Sequence, residues 1–162
     1  AGGAPGGDWR ERLDRALDTS NRAGAAATIE HSIRPAMTQF AQELESRGQT
    51  ANVTEEQVEG ESLPNLMLQV DFGDATSFVY QVCPHRMRTP NFIPADDDFY
   101  VRLDVYLAEG GQDKDLNGYT RGQVIGDLVA EYERHLQFLA LAGGHAQAMP
   151  GTIGEPPEDA QM

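Results

Sequence analysis

Two stretches of this 162-residue chain carry side chains whose types and spacing suit chemistry. Cys83-Pro84-His85 puts a thiol and an imidazole two residues apart, the raw material of a thiolate nucleophile or a metal site. Residues i and i+2 share a face only on a continuous strand, and Pro84 predicts that the strand ends there. His31, His135 and His145 stand at no ligand-like spacing. The expectation is therefore a small buried hydrophobe at Cys83 and an exposed loop residue at His85. The second stretch is Asp113-Lys114-Asp115-Leu116-Asn117-Gly118, which opens like a calcium loop, with oxygen donors at its first, third and fifth positions and glycine at its sixth. Such a loop closes with a bidentate Glu at position 12, where this chain has Val124. Asp113, Asp115 and Asn117 are thus candidate cation ligands in an incomplete motif, and a structural loop is the expectation. No phosphate loop, dinucleotide fingerprint or Gly-x-Ser-x-Gly elbow is present, so neither an enzyme nor a cofactor site is expected.

Charge is the unusual quantity. Asp and Glu number 26 against 12 Lys and Arg, a formal net charge of −14, with Lys114 the single lysine. That balance argues against nucleic acid or an anionic membrane surface as partner. Glu55, Glu56, Glu59 and Glu61 read as a solvated acidic loop and Asp96, Asp97 and Asp98 as a second cluster. Both are candidates for sensing cations or ionic strength, because like charges repel less as salt shortens the Debye length from about 10 Å at 0.1 M to about 3 Å at 1 M. A lone cysteine fits a reducing compartment. No run approaches the roughly 18 apolar residues that span a bilayer, so direct membrane insertion is not expected. The start without Met and the Gly/Pro-rich lead suggest a piece of something larger.

The elements that must position these residues follow from periodicity. Residues 1–7 read as a flexible linker, 8–142 as one domain and 143–162 as a disordered tail. Asp8 is a plausible cap for a short helix with Trp9, Leu13, Ala16 and Leu17 on one face, more in keeping with core than with interface. A second helix is expected from about Ala25 to Arg47, kinked or divided at Pro35 and stopped by Gly48. The period then changes to two: a short strand at Ala51–Thr54, a half-buried strand through Leu66, Leu68, Val70 and Phe72, and a return at Ser77–Cys83 after Gly73-Asp74. A long loop from Pro84 to Asp98 precedes the clearest strand, Phe99–Leu107. Thr120-x-x-Gln123 is a capping box, with Tyr119 and Val124 as its staple, opening a helix to about Leu141 that Gly143-Gly144 ends. The fold class is α+β: an antiparallel sheet of about four strands with two N-terminal helices and one C-terminal helix on one face.

Several motifs in fixed order then carry a family resemblance. They are Ile33-Arg34-Pro35-Ala36-Met37, Phe99-Tyr100-Val101-Arg102, Leu107-Ala108-Glu109-Gly110-Gly111-Gln112-Asp113, Asp115 with Gly118-Tyr119, Gln123-Val124-Ile125-Gly126-Asp127 and Tyr132-Glu133-Arg134-His135. From about Trp9 to Leu141 the chain resembles the C-terminal cytoplasmic extension of choline transporters of the betaine/choline/carnitine transporter (BCCT) family, departing from the pattern at Lys114 and Asn117. The resemblance implies a partner, the transmembrane part of the same transporter, which moves choline inward with a proton or sodium gradient at the bacterial inner membrane. It also implies that this cytoplasmic extension tunes that activity to osmotic conditions. The alternative is a stand-alone domain for a small cationic ligand, in which Tyr100, Tyr106 and acidic neighbours cradle a quaternary ammonium.

Overall fold

The computed structural model describes residues 8–19, 24–73, 75–92 and 99–148. Helix α1 spans Asp8–Thr19, helix α2 Ala25–Thr28 and helix α3 Arg34–Ser46, with a π-helical turn, Ile29–Ile33, joining the last two. Five strands follow: β1 Thr50–Glu56, β2 Asn65–Phe72, β3 Ala75–Arg88, β4 Phe99–Leu107 and β5 Gly110–Asp115. Helix α4, Arg121–Ala148, completes the chain. The sheet is a meander in the order β1-β2-β3-β4-β5 with every pairing antiparallel. This is the expected α+β class with one strand more than the four or so expected.

Alternation builds the core. Leu66, Leu68 and Val70 on β2, Phe78, Tyr80 and Val82 on β3, and Leu103 and Val105 on β4 all point to one face and are buried. Ile33, Met37 and Phe40 from the helical segment and Val124 and Leu128 from α4 close over them. The opposite face, with Met67, Gln69, Gln81, Cys83, His85 and Tyr106, is half-buried. Trp9 and Leu13 on α1 are 52% and 50% exposed, so the core role expected for them is not what they have.

Pro35 acts one turn earlier than its own position. Lacking an N–H, it cannot bond the carbonyl of residue 31, and its ring crowds that carbonyl. The backbone widens into the π turn Ile29–Ile33 and resumes as α3 with Pro35 in its first turn. Gly48 does end α3. At φ 90° it forms a Schellman turn, its N–H bonding Glu45 O at 3.1 Å and that of Gln49 bonding Leu44 O at 3.0 Å.

Three expected boundaries move. Strand β1 continues through Glu55 and Glu56. Strand β3 runs through Pro84 to Arg88, pairing with β4 throughout, so the long loop expected from Pro84 starts only after Arg88. Pro84 is tolerated because β2 begins at Asn65, opposite Cys83 in the register, which leaves β3 an edge on that side. Helix α4 continues past Gly143 and Gly144 to Ala148, since helical glycine costs only about 1 kcal/mol relative to Ala. The linker assigned to 1–7 and the last part of the tail, 149–162, lie outside the described residues.

Candidate functional site

The capping box that opens α4 forms as expected. Gln123 N–H bonds Thr120 Oγ1 at 3.2 Å, and Thr120 N–H bonds Gln123 Oε1 at 2.9 Å. It fixes α4 directly after the calcium-like stretch, whose residues the structure uses otherwise. Strand β5 bulges, so that Gln112, Asp113 and Lys114 stand opposite Val105 alone. Asp113 sits in that bulge at φ 51°, a left-handed conformation Asp tolerates, with its carboxylate in solvent. The Asp115 carboxylate instead accepts the N–H groups of Leu103, at 2.8 Å, and Asn117, at 2.9 Å. Asn117 Oδ1 accepts the buried Thr28 hydroxyl at 3.1 Å, tying α2 to this turn. Gly118, at φ 88°, completes a turn closed by Tyr119 N–H on Leu116 O. Asp115 and Asn117 are thus engaged within the fold, while the Asp113 side chain stands in solvent.

Lys114, between them, has the most connected position. Its ammonium lies 2.6 Å from Asp127 Oδ1 and 3.1 Å from Glu131 Oε2 on α4. Asp127 Oδ2 in turn accepts the hydroxyl of fully buried Tyr80 at 2.6 Å. Arg134 extends the chain of charges from Glu131 to Glu109. Burial disfavours the Lys114 charge, yet the hydrogen bonds and charges of Asp127 and Glu131 outweigh it and hold its pKa above the ordinary value. Burial first, then Asp127, pushes the Tyr80 phenol up.

On the opposite sheet face, continuation of β3 through Pro84 gives Cys83 and His85 the same side, against the sequence reading. His85 Nδ1 hydrogen-bonds Asp104 Oδ2 at 2.6 Å, and Arg102 Nε reaches Asp104 Oδ1 at 2.9 Å. Burial opposes the Asp104 charge, but these two donors hold the carboxylate below its ordinary pKa. The Cys83 thiol is pushed up, by burial and then by Asp104 and Glu56, which keeps it in the weakly nucleophilic thiol form. A groove of about 670 Å³ runs beside these side chains, between the sheet and the 57–64 connection, with Glu61, Leu63, Cys83, His85, Arg86 and Tyr106 in its lining. Tyr100 and Tyr106 lie on the same strand six residues apart, roughly 20 Å at 3.3 Å per residue, too far to form one cage.

The acidic candidates divide. Glu55 is held by Arg34, whose Nε lies 2.6 Å from its Oε2, and the same guanidinium pairs with Glu30. That hydrogen bond, though burial opposes it, lowers the Glu55 pKa. Glu56, Glu59 and Glu61 are exposed, Glu56 at the end of β1 and the other two in the connection to β2. Asp96, Asp97 and Asp98 lie outside the described residues.

The order of motifs has a counterpart among known proteins. Over 149 residues, 88% of this chain, the sequence is 36% identical to the high-affinity choline transport protein of Escherichia coli K12. It is 36% identical over 138 residues to the osmo-dependent choline transporter BetT2 of Acinetobacter baylyi, and 29% identical over 139 residues to the glycine betaine transporter of that organism. The chain matches a part of BCCT-type choline transporters. It spans about a fifth of the length of these relatives, 22% of the first and 20% of the other two. No protein-family model matches it. Among the described residues no helix is long and apolar enough to cross a membrane. Sequence reasoning missed the Lys114–Asp127–Tyr80 cluster, although Asp127 and Glu131 at i and i+4 on a capped helix marked one face. Nothing local signals Tyr80, whose hydroxyl meets that face only through the sheet register.

Proposed function

We propose that this chain is the regulatory domain of an osmoregulated choline transporter, acting on the transmembrane part of the same protein at the cytoplasmic face of the bacterial inner membrane. The observation that carries the reading is the match over 88% of the chain to a fifth of a choline transport protein, together with a similar match to a transporter whose name is osmo-dependent. A segment without a membrane-crossing helix among its described residues suits an accessory role better than a conducting one. The physical handle is charge. Residues 41–85 carry a net of −7, and Glu56, Glu59 and Glu61 are exposed among them. Their repulsion falls as cytoplasmic salt rises, so the domain's compactness, and with it its docking on the transporter, changes with ionic strength.

The test is the full transporter in liposomes, with and without this segment, with choline uptake followed against osmolality set by KCl or by sucrose. Uptake activated by osmolality only when the segment is present supports the proposal. A stronger response to internal KCl than to sucrose supports the ionic handle. Equal activation without the segment refutes the regulatory role.

A further inference from the structure

We propose that the overhanging end of β3, residues 84–88, is a docking edge for an extended acidic segment of the transporter outside this chain, added to the sheet as a further strand. Strand β3 outruns β2. Its last partner there is Val82, opposite Leu66, while its pairing with β4 continues from Pro84 opposite Leu103 to Arg88 opposite Phe99. The overhang is therefore bonded on one side only. Successive residues of a strand turn their N–H and C=O to opposite neighbours. Pro84, which has no N–H, suits the positions that face the open side, and it shares that parity with Arg86 and Arg88. No backbone hydrogen bond from the 57–64 connection closes this edge. A hollow of about 450 Å³ lies beside it toward Phe99 and Val101, and the groove of about 670 Å³ lies toward His85 and Tyr106. Side chains of an added strand would alternate between these two spaces.

The charge of the segment follows from the edge. Arg86 and Arg88 are exposed, two residues apart on one face, with their guanidiniums 4.9 and 5.2 Å over the Phe99 ring. Among the described residues neither forms an ion pair, in a chain whose net charge is −14. Carboxylates at alternate positions of an added strand would meet them as cross-strand pairs. Met87 and Tyr100, 40% and 44% exposed and opposite each other in the register, offer apolar contact on the other face. Glu61 borders both spaces and repels acids near Pro84, which sets the acidic positions toward Arg88. A second copy is a poor occupant, because two overhangs paired edge to edge set arginines against arginines. The chain's own acidic tail is poor as well, since Pro156 and Pro157 have no N–H to give. The chain spans 22% of the first relative it matches, which leaves most of such a transporter to supply the strand.

The source of the segment rests on the regulatory reading above, whereas the open edge does not. Synthetic peptides covering the non-membrane segments of the rest of the transporter are titrated into the 162-residue chain, and the amide resonances of residues 84–88 are followed by NMR. A saturable shift and slowed amide exchange at Arg86 and Arg88 are expected for peptides with Asp or Glu at alternate positions. Binding should weaken about fivefold when Arg86→Gln and Arg88→Gln are combined, and tighten in Glu61→Gln. It should vanish when one alternate peptide amide is N-methylated, which keeps every charge but removes a ladder bond. No saturable shift, affinity indifferent to the arginines or to N-methylation, or shifts that follow the concentration of the chain alone would overturn the proposal. So would binding seen only after Asp96→Asn, Asp97→Asn and Asp98→Asn together, since the chain's own acidic run would then hold the two arginines. Osmotic activation that needs this segment but survives the arginine changes in the full transporter rejects the edge alone. Peptide binding without osmotic activation rejects the regulatory reading alone.

Discussion

Asp127→Ala is the sharpest perturbation of this fold. Its carboxylate holds the hydroxyl of a fully buried tyrosine at 2.6 Å and the ammonium of Lys114 at 2.6 Å. Removing it leaves the Tyr80 hydroxyl without its partner in the core, about 1–3 kcal/mol, and removes one charge-assisted hydrogen bond of about 1.5–3 kcal/mol. Lys114 keeps Glu131 at 3.1 Å and its side chain is 24% exposed, which favours the lower part of the range, about 3 kcal/mol. At about 4 °C per kcal/mol for a domain of this size, the melting temperature should fall by about 12 °C. Tyr80→Phe deletes the hydroxyl but leaves Asp127 paired with Lys114, so it should cost only about 1 kcal/mol. The two losses share an interaction and should not add in the double variant. Thermal melts followed by circular dichroism measure all three. A drop below about 4 °C for Asp127→Ala would refute the reasoning, placing the cluster among surface pairs of little worth.

Alkaline pH offers a second handle on the same cluster. Lys114 has its folded pKa raised above an unfolded value of about 10.4, so its stabilisation is complete below that value and is lost as pH rises through the folded one. The fall in stability on the alkaline side should therefore be shallower in Lys114→Met, while the part due to neutral, buried Tyr80 remains.

Two further outcomes follow from the loop and the charge. Asp115→Ala, which frees two backbone N–H groups, should cost about 2 kcal/mol and Asp113→Ala almost nothing, whereas micromolar calcium binding abolished by Asp113→Ala in calorimetry would show the loop to be a cation site after all. The melting temperature of the chain should climb between low and roughly molar salt, equally in NaCl and KCl; a flat curve would remove the electrostatic basis of the regulatory reading.

What the sequence made legible was local. Strict alternation placed β4 at Phe99–Leu107 and the buried face of β2, because side-chain period alone decides which residues enter a one-sided core. Thr120 and Gln123 declared the start of α4 by a reciprocal hydrogen bond that needs no tertiary partner. Strand β5 escaped notice because Gly110-Gly111-Gln112-Asp113-Lys114-Asp115 has no apolar alternation. It forms from pairing with β4, a glycine at φ 125° and a carboxylate accepting the Leu103 N–H. Pro84 misled for a related reason: whether proline breaks a strand depends on which neighbour is missing, and that is a property of the register. The same dependence hid the meeting of Cys83, His85 and Asp104, which needs β3 to continue and β4 to lie beside it.

The fold also sorts its acids in a way composition does not. Asp104, Asp115, Asp127 and Glu131 are each engaged by named donors and are largely shielded from solvent, so added salt screens them weakly. Glu55 is pinned by Arg34 although it neighbours Glu56 in sequence. Glu56, Glu59 and Glu61 have no such cation in reach among the described residues and stand in solvent at the end of β1 and in the connection to β2. An ionic response of this domain should therefore originate in that connection and leave the sheet–α4 junction intact.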